Sequence, residues 1–282
     1  MATLLCFTLF AAGRSYRTTM KPETTPLHPL VALVCGYEKS GTTLLNEILR
    51  RHPQLDSGHE VGVLMGDSPR DFPNAKIYFA FFQQTWKLSK AQAQHCCDTD
   101  VWSEFYRRAR EASPVIADKA SLIFDKTPRY MLTLADVMAK AAPLPCVVNV
   151  RDPRAVMHSW ACWSGHRDDP GHYVEAHFSD YCERYLSYAQ GYQSAVAQYA
   201  DRLYLNQFEQ MCLQPEATID RIFAFLGLEF EPAYLHFESE HFVYGSTVSQ
   251  AYLQPYLKDF SDALSQRILD ATSAFADWHF QP

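Results

Sequence analysis

Residues 30–52 read LVALVCGYEKSGTTLLNEILRRH. The first seven residues form an apolar run that ends in glycine, which is typical of a strand covered on both faces of a parallel sheet. Leu44, Leu45 and Ile48 then recur at helical spacing, and Pro53 ends the pattern. This stretch predicts a strand, a glycine-bounded loop and a helix, which together form the opening unit of a nucleotide-type α/β fold.

The same alternation of strand and helix continues along the chain. The elements predicted after the first unit are strands at 121–125, 145–150 and 202–208, and helices at about 131–140, 153–163, 173–199 and 216–226. Pro153 suits the first position of its helix, and Gly227 suits the position just beyond the last one. The alternation predicts a single α/β domain with a central parallel β-sheet flanked by helices, in a P-loop-like architecture.

Length and composition agree with one folded domain. The chain has 282 residues, of which 48% are hydrophobic and 20% charged, so it can bury a sizeable core. Residues 18–29 are rich in Thr and Pro, and we expect a flexible N-terminal extension at 1–29 before a domain at 30–282. The first twelve residues are apolar but too few to span a bilayer, so no membrane anchor is expected; a weak signal peptide is the alternative to a plain extension.

Charge and cysteine content narrow the class of partner. The formal net charge is -7, which leaves no surplus of Lys and Arg to follow a phosphate backbone, so nucleic acid is not an expected partner. The eight cysteines show neither CxxC pairs nor the Cys/His spacing of a zinc site. We therefore expect no metal site and a reducing, cytoplasmic location, and the oligomeric state is left open.

The junction between the first strand and its helix is rich in hydrogen-bond donors. Residues 36–43 read GYEKSGTT, and their two glycines bound a turn whose backbone N–H groups can converge on one anion. The helix that begins near Thr42 adds the positive end of its dipole. A glycine turn alone is equally compatible with an architectural joint. The residues whose donors favour an anion site are Lys39, Ser40, Gly41, Thr42 and Thr43.

This pattern differs from the phosphate loop of kinases and ATPases. In that loop the lysine follows the last glycine, whereas Lys39 comes before it. The strand predicted at 145–150 ends in Arg151 and not in an acidic residue that holds magnesium. With Ser159 eight residues later, Arg151 favours a second phosphate site; helix capping or pairing with Asp152 is the alternative.

The two motifs together resemble those of the sulfotransferases that use 3'-phosphoadenosine 5'-phosphosulfate (PAPS). In that family a Pro-Lys/Arg-Ser-Gly-Thr-Thr loop binds the 5'-phosphosulfate, and an RDPR segment followed by a serine binds the 3'-phosphate. This sequence has EKSGTT at 38–43 and RDPRAVMHS at 151–159. The resemblance implies a metal-independent sulfotransferase that releases adenosine 3',5'-bisphosphate (PAP).

A further segment is similar to the branch that contains the protein-tyrosine sulfotransferases and related bacterial small-molecule enzymes. HPQLDSGHE at 52–60 places Glu60 where that branch has its proposed general base, with His59 as the competing base. Lys126 in DKTPRY is similar to the family's lysine before Asp-Pro. The resemblance implies that Glu60, Lys39 and Lys126 are the catalytic residues.

Other positions match the family in part. Phe208 is placed where an adenine-stacking aromatic lies, with plain core packing as the alternative, and Ser246 with Thr247 is similar to a segment that closes over the cofactor. Two positions depart from the pattern, since Trp163 stands where some members have an arginine, and Glu38 stands where the loop usually has proline. The resemblance covers about residues 30–258 and leaves the acceptor-facing middle unmatched.

The expected reaction is the in-line transfer of a sulfuryl group to a small-molecule hydroxyl, or to an amine or guanidine nitrogen. Glu60 removes the acceptor proton, Lys39 stabilises the leaving phosphate, and Lys126 neutralises charge on the transferring group. An acidic chain favours a neutral or cationic acceptor. The alternatives are an ATP-dependent small-molecule kinase, a tyrosyl or carbohydrate sulfotransferase, and a non-catalytic nucleotide-binding protein.

Overall fold

Within residues 28–237 and 253–280, which the computed structural model describes, five strands form one sheet. Their bounds are β1 (Leu30–Gly36), β2 (Leu55–Asp56), β3 (Leu122–Lys126), β4 (Cys146–Val150) and β5 (Leu203–Gln207). The strand order is β2-β3-β1-β4-β5, and every neighbouring pair is parallel. The predicted parallel sheet is confirmed, with the apolar strand β1 at its centre.

The five helices predicted from the sequence are present, two of them in altered form, and the described residues contain five further helices that were not predicted. All the helices of the described residues are α1 (Thr42–Leu49), α2 (Lys76–Thr85), α3 (Lys90–Cys97), α4 (Trp102–Ala112), α5 (Leu134–Lys140), α6 (Pro153–Trp163), α7 (Pro170–Ala176), α8 (Phe178–Tyr199), α9 (Phe208–Leu213), α10 (Pro215–Phe225) and α11 (Asp262–Ala271). The stretch at 173–199 is two helices, because the backbone of His177 leaves the helical region at φ -117°. The stretch at 131–140 begins as a 3-10 turn before α5.

Apolar side chains cover both faces of the sheet. Val147 and Val148 of β4 are both fully buried, but they belong to different clusters because successive strand residues point to opposite faces. One cluster draws on α4, α5, α6, α8 and α11, and the other on α1, α9 and α10. Helices therefore enclose the sheet from both sides, which confirms a single α/β domain of the predicted class.

The carboxyl ends of the strands bring the candidate site residues together. All five strands run in one direction, so the loops that follow them meet at one edge, where α/β proteins bind their ligands. The donor-rich loop follows β1, Lys126 ends β3, and Arg151 follows β4. Sheet topology thus places the sequence motifs beside one another although they are about 25 to 110 residues apart in the chain.

Some predictions lie outside the described residues. Ser246 and Thr247, the expected cofactor-closing segment, are among them, as is most of the expected extension at 1–29. The boundary between 1–29 and 30–282 stays a prediction. Among the residues described, no helix combines the length and the apolar character needed to cross a bilayer.

Candidate active site

The loop after β1 packs tightly against β4. Gly36 has φ +146°, and a Cβ on it would lie 2.1 Å from the carbonyl oxygen of Asn149, so only glycine fits there. The Ser40 hydroxyl is fully buried, 2.7 Å from the carbonyl oxygen of Tyr37 and 3.0 Å from that of Asn149. Its single O–H is used by these carbonyls. Ser40 therefore holds the loop from the inside in this structure, and its contact with a cofactor stays a prediction.

Two residues with a left-handed backbone conformation turn the loop toward a cavity. Lys39 has φ +74°, a conformation that costs a residue with a side chain about 1 kcal/mol and that is often found at binding sites. Gly41 has φ +83° and immediately precedes α1, and a Cβ on it would lie 2.2 Å from the Phe208 ring. Lys39, Gly41, Thr42 and Thr43 line the cavity. Burial lowers the pKa of Lys39, so its charge is incompletely solvated.

Arg151 contacts the same loop from the end of β4. Its Nη1 donates to the carbonyl oxygen of Lys39 at 2.7 Å, and its guanidinium lies 4.4 Å from the centre of the Phe208 ring. Burial lowers the pKa of Arg151, which means that its surroundings leave the positive charge poorly solvated. The guanidinium and the loop thus lie on the same side of the sheet. Phe208 is buried against Arg151 and Gly41, and its stacking on adenine stays a prediction.

The carboxylates of Asp152 and Glu209 both attract the Arg151 guanidinium. The Asp152 carboxylate caps α6 by accepting from the backbone N–H of Arg154 at 2.8 Å, and it pairs with the Arg154 guanidinium at 2.7 Å. Glu209 accepts from the backbone N–H of Asp152 at 2.9 Å, and burial raises the pKa of Glu209 to about 7. Ser159 is half-buried on α6, and its phosphate contact stays a prediction.

The predicted catalytic pair is in contact. Lys126 Nζ donates to Glu60 Oε1 at 2.9 Å; the Lys126 side chain is fully buried, whereas Glu60 is one quarter exposed. His59 Nε2 lies 4.0 Å from the same Glu60 oxygen, and its ring packs 5.3 Å from that of Phe81. Glu60 and His59 both line the cavity. The structure therefore brings both candidate bases to one place beside Lys126.

The cavity has a volume of about 700 Å³ and two chemically different parts. Its full lining is Glu38, Lys39, Gly41, Thr42, Thr43, Leu44, His59, Glu60, Ile77, Tyr78, Phe81, Pro128, Arg129 and Trp163. The polar part is the donor-rich loop with Glu60. The apolar part includes Ile77, 83% exposed, and Trp163, 68% exposed, whose ring centre is 4.9 Å from Lys39 Nζ. Large apolar side chains exposed beside a cavity are typical of a ligand site.

Glu38 has a role that the sequence did not indicate. Its Oε2 accepts from the Tyr188 hydroxyl at 2.5 Å and pairs with the Arg184 guanidinium at 2.7 Å, while Arg129 lies 3.9 Å from its Oε1. Arg184 and Tyr188 are one helical turn apart on α8, so they present one face to the loop. The only available sequence signal was their i,i+4 spacing, and it does not name Glu38 as the partner. Glu38 anchors the loop where the family has a rigid proline.

The chain matches one protein family across most of its length. It belongs to the sulfotransferase family, to which residues 32–232 correspond. That match confirms the resemblance found in the sequence motifs. The described residues contain no group of three or more His, Cys, Asp or Glu side chains that could hold a metal ion.

Individual relatives are more distant. Protein-tyrosine sulfotransferase 1 of Danio rerio is 24% identical over 216 residues, which make up 74% of this chain and 56% of that protein, so the chain corresponds to a little over half of it. A sulfotransferase domain from the Synechococcus olefin synthase has a TM-score of 0.64 at 19% identity, with 93% of this chain and 100% of that chain covered. A sulfotransferase domain from the curacin biosynthetic pathway has a TM-score of 0.59 at 16% identity over 90% and 99% of the two chains. These structures share the fold of this chain.

Proposed function

We propose that this protein transfers a sulfuryl group from PAPS to a hydroxyl group of a small molecule, with PAP as the second product. The observation that carries the proposal is the contact between the two donor-rich motifs, in which Arg151 Nη1 lies 2.7 Å from the carbonyl oxygen of Lys39. Lys39 and Arg151, two cationic residues that follow different strands, therefore lie close together at one edge of the sheet. A nucleotide with phosphates on both its 5' and 3' positions matches that arrangement.

The donor set fits the two anionic ends of such a nucleotide. Lys39, Thr42 and Thr43, together with the positive end of the α1 dipole, suit the 5'-phosphosulfate. Arg151 suits the 3'-phosphate, since its guanidinium is buried and poorly solvated and gains most from an anion. PAPS supplies an activated sulfuryl group and a good leaving group. A mouse sulfotransferase complexed with PAP has a TM-score of 0.50 with this structure at 10% identity, and that likeness concerns the fold alone.

Glu60 is the proposed general base of the transfer. It takes the proton from the acceptor hydroxyl while that oxygen forms its bond to sulfur and the bond from sulfur to the 5'-phosphate oxygen breaks. Lys126 has three N–H donors, and its pairing with Glu60 leaves donors for an oxygen of the sulfuryl group. Lys39 stabilises the charge that develops on the leaving phosphate. His59 is the alternative base because it lies beside Glu60 on the same cavity wall.

The acceptor is proposed to be neutral or cationic and to carry an apolar body. Ile77 and Phe81 lie one turn apart on α2 and face the cavity together, and Trp163 forms another apolar surface at the end of α6. Burial of an apolar skeleton against these side chains orients its hydroxyl group toward Glu60. An amine or guanidine nitrogen is the alternative nucleophile, and a tyrosyl or carbohydrate hydroxyl the alternative acceptor. A cytoplasmic location stays a prediction.

The nucleotide product separates this proposal from its main rival, a small-molecule kinase. The experiment incubates the protein with PAPS or ATP and a panel of alcohols, with EDTA present or absent, and quantifies PAP and ADP by chromatography. We expect acceptor-dependent release of PAP that EDTA does not abolish, because the loop cations and not a metal stabilise the leaving group. Release of ADP that requires magnesium would reject the proposal. Binding of PAP without turnover on any acceptor would favour a non-catalytic protein.

A further inference from the structure

Two consecutive residues, the last of β3 and the one after it, hold the chain segment that carries Glu60. Lys126 Nζ donates to Glu60 Oε1 at 2.9 Å. Thr127 Oγ1 accepts from the backbone N–H of Val61 at 3.1 Å and from that of Gly62 at 3.2 Å. The side chain of Glu60 and the peptide groups that follow it are thus attached to neighbouring positions of one strand end.

Asp125 fixes the orientation of the Thr127 hydroxyl. Thr127 Oγ1 donates its proton to Asp125 Oδ1 at 2.8 Å, so the lone pairs of Oγ1 face the two backbone N–H groups. Asp125 Oδ2 accepts from the hydroxyls of Tyr106 at 2.6 Å and Tyr130 at 2.7 Å. Burial raises the pKa of Asp125, and its three hydroxyl donors oppose that rise. A fully satisfied network of this kind holds its members rigidly.

We infer that Asp125 and Thr127 are positioning residues for the reaction, which hold the backbone at residues 61–62 and thereby keep the Glu60 carboxylate in reach of the acceptor hydroxyl. The inference rests on the proposed role of Glu60. Asp125 and Lys126 point to opposite faces of β3, so Asp125 contacts Tyr106 and Tyr130 in the core while Lys126 contacts Glu60. Two hydrogen bonds, Lys126 to Glu60 and Val61 to Thr127, join the two short chain segments into a ring, which restricts the movement of the carboxylate.

The direct test is the substitution Thr127→Val, which keeps the shape of the side chain and removes its hydroxyl. Two backbone N–H groups lose their acceptor, and we expect kcat to fall about 10- to 100-fold, since a displacement near 1 Å can cost about 100-fold. Affinity for PAP, measured by calorimetry, should change less than about twofold, because the loop and Arg151 are untouched. Thr127→Ser keeps the hydroxyl and should restore most of kcat. An unchanged kcat in Thr127→Val would overturn the inference.

A double-mutant cycle separates positioning from a general structural role. Glu60→Gln removes the base, so if Thr127 acts through Glu60, the double variant should have the same kcat as Glu60→Gln alone within about twofold. Losses that multiply would overturn the inference, because they would show that Thr127 acts independently of Glu60. Thr218→Val is the matched control, as this buried hydroxyl donates to the carbonyl oxygen of Gln210 on α9 and lies outside the cavity lining. It should leave kcat unchanged.

The outcomes distinguish this inference from the proposed function. A fully active Glu60→Gln variant removes the proposed base and the inference with it. If Glu60→Gln lowers kcat but Thr127→Val is fully active, the positioning inference is rejected and the proposed function stands. Should Thr127→Val not fold, Tyr106→Phe serves in its place, because it removes one donor to Asp125 from the core side. Tyr106→Phe should lower kcat about 3- to 10-fold in the original protein and should not lower it further in the Glu60→Gln variant. Losses of kcat that multiply in the double variant would equally reject the inference.

Discussion

At the scale of single residues, the surroundings of Arg151 are dominated by the cost of burying charge. Glu209 lies close enough for its carboxylate to attract the guanidinium, yet burial raises the pKa of Glu209 to about 7 and lowers that of Arg151. The desolvation of both groups outweighs their mutual attraction. The 3'-phosphate of the proposed nucleotide would supply a more highly charged anion than a carboxylate at this position.

The raised pKa of Glu209 predicts a specific dependence of stability on pH. The folded protein binds the Glu209 proton more tightly than the unfolded chain does. Glu209 therefore leaves the free energy of unfolding unchanged below about pH 4.5 and lowers it increasingly as the pH rises from there to about 7. Glu209→Gln keeps an acceptor for the N–H of Asp152 and loses the titration. Relative to the original protein, it should therefore gain up to about 3 kcal/mol in unfolding free energy between pH 4.5 and pH 8.

Urea unfolding at pH 5 and pH 8 measures this difference directly. Glu216→Gln is the control, since it makes the same chemical change at an exposed glutamate in the first turn of α10. An equal stability difference for Glu209→Gln at the two pH values would show that the Glu209 carboxyl titrates as an ordinary exposed group.

Residue patterns in the sequence predicted the loop of residues 36–43 and Arg151, and the family resemblance implied Glu60 and Lys126, because each lies in a short local motif. They did not predict which donors stay available. Ser40 and Thr42 look equivalent in the sequence, yet the Ser40 hydroxyl contacts carbonyls of Tyr37 and Asn149, and only the fold determines that distance. The sequence did not indicate a role for Asp125 either, since its partners Tyr106 and Tyr130 come from other elements.

At the scale of elements, α2 and α6 supply the large apolar side chains of the cavity. α2 was not predicted, because residues 76–85 contain apolar side chains on two faces: Phe82 is fully buried in the core, and Ile77 with Phe81 faces the cavity. A second apolar face resembles a core face in the sequence, and only the packing of the helix shows that this face lines a cavity. The helix at 153–163 was predicted with its bounds, since Pro153 marks its start.

The apolar walls predict a dependence of acceptor affinity on chain length. In the presence of PAP, each CH₂ added to a series of n-alkanols should tighten binding about fourfold, as expected for about 0.8 kcal/mol per buried methylene. Trp163→Ser and Ile77→Ser should each reduce the gain in affinity for each added CH₂. Leu257→Ser is the control, because Leu257 is 64% exposed and lies outside the cavity lining. Calorimetric titration supplies the affinities, and a series with no dependence on length would contradict the acceptor assignment.

At the scale of the whole molecule, the proposed function depends on strand order. β1 pairs with β3 on one side and with β4 on the other, so the loop after β1 lies between Lys126 and Arg151. Alternation of strands and helices was enough to predict a parallel sheet, but not this order. A chain with the same motifs and a different strand order would not bring Arg151 to the carbonyl oxygen of Lys39.

The most direct measurement is a calorimetric comparison of PAP with adenosine 5'-phosphate, using the original protein and Arg151→Ala. PAP should bind at least about tenfold more tightly than adenosine 5'-phosphate to the original protein, since a hydrogen bond to a charged group contributes about 1.5 to 3 kcal/mol. Arg151→Ala should remove that preference and leave the affinity for adenosine 5'-phosphate nearly unchanged. Equal affinity of the original protein for the two nucleotides, or an equal loss of both in the variant, would contradict recognition of a 3'-phosphate by Arg151.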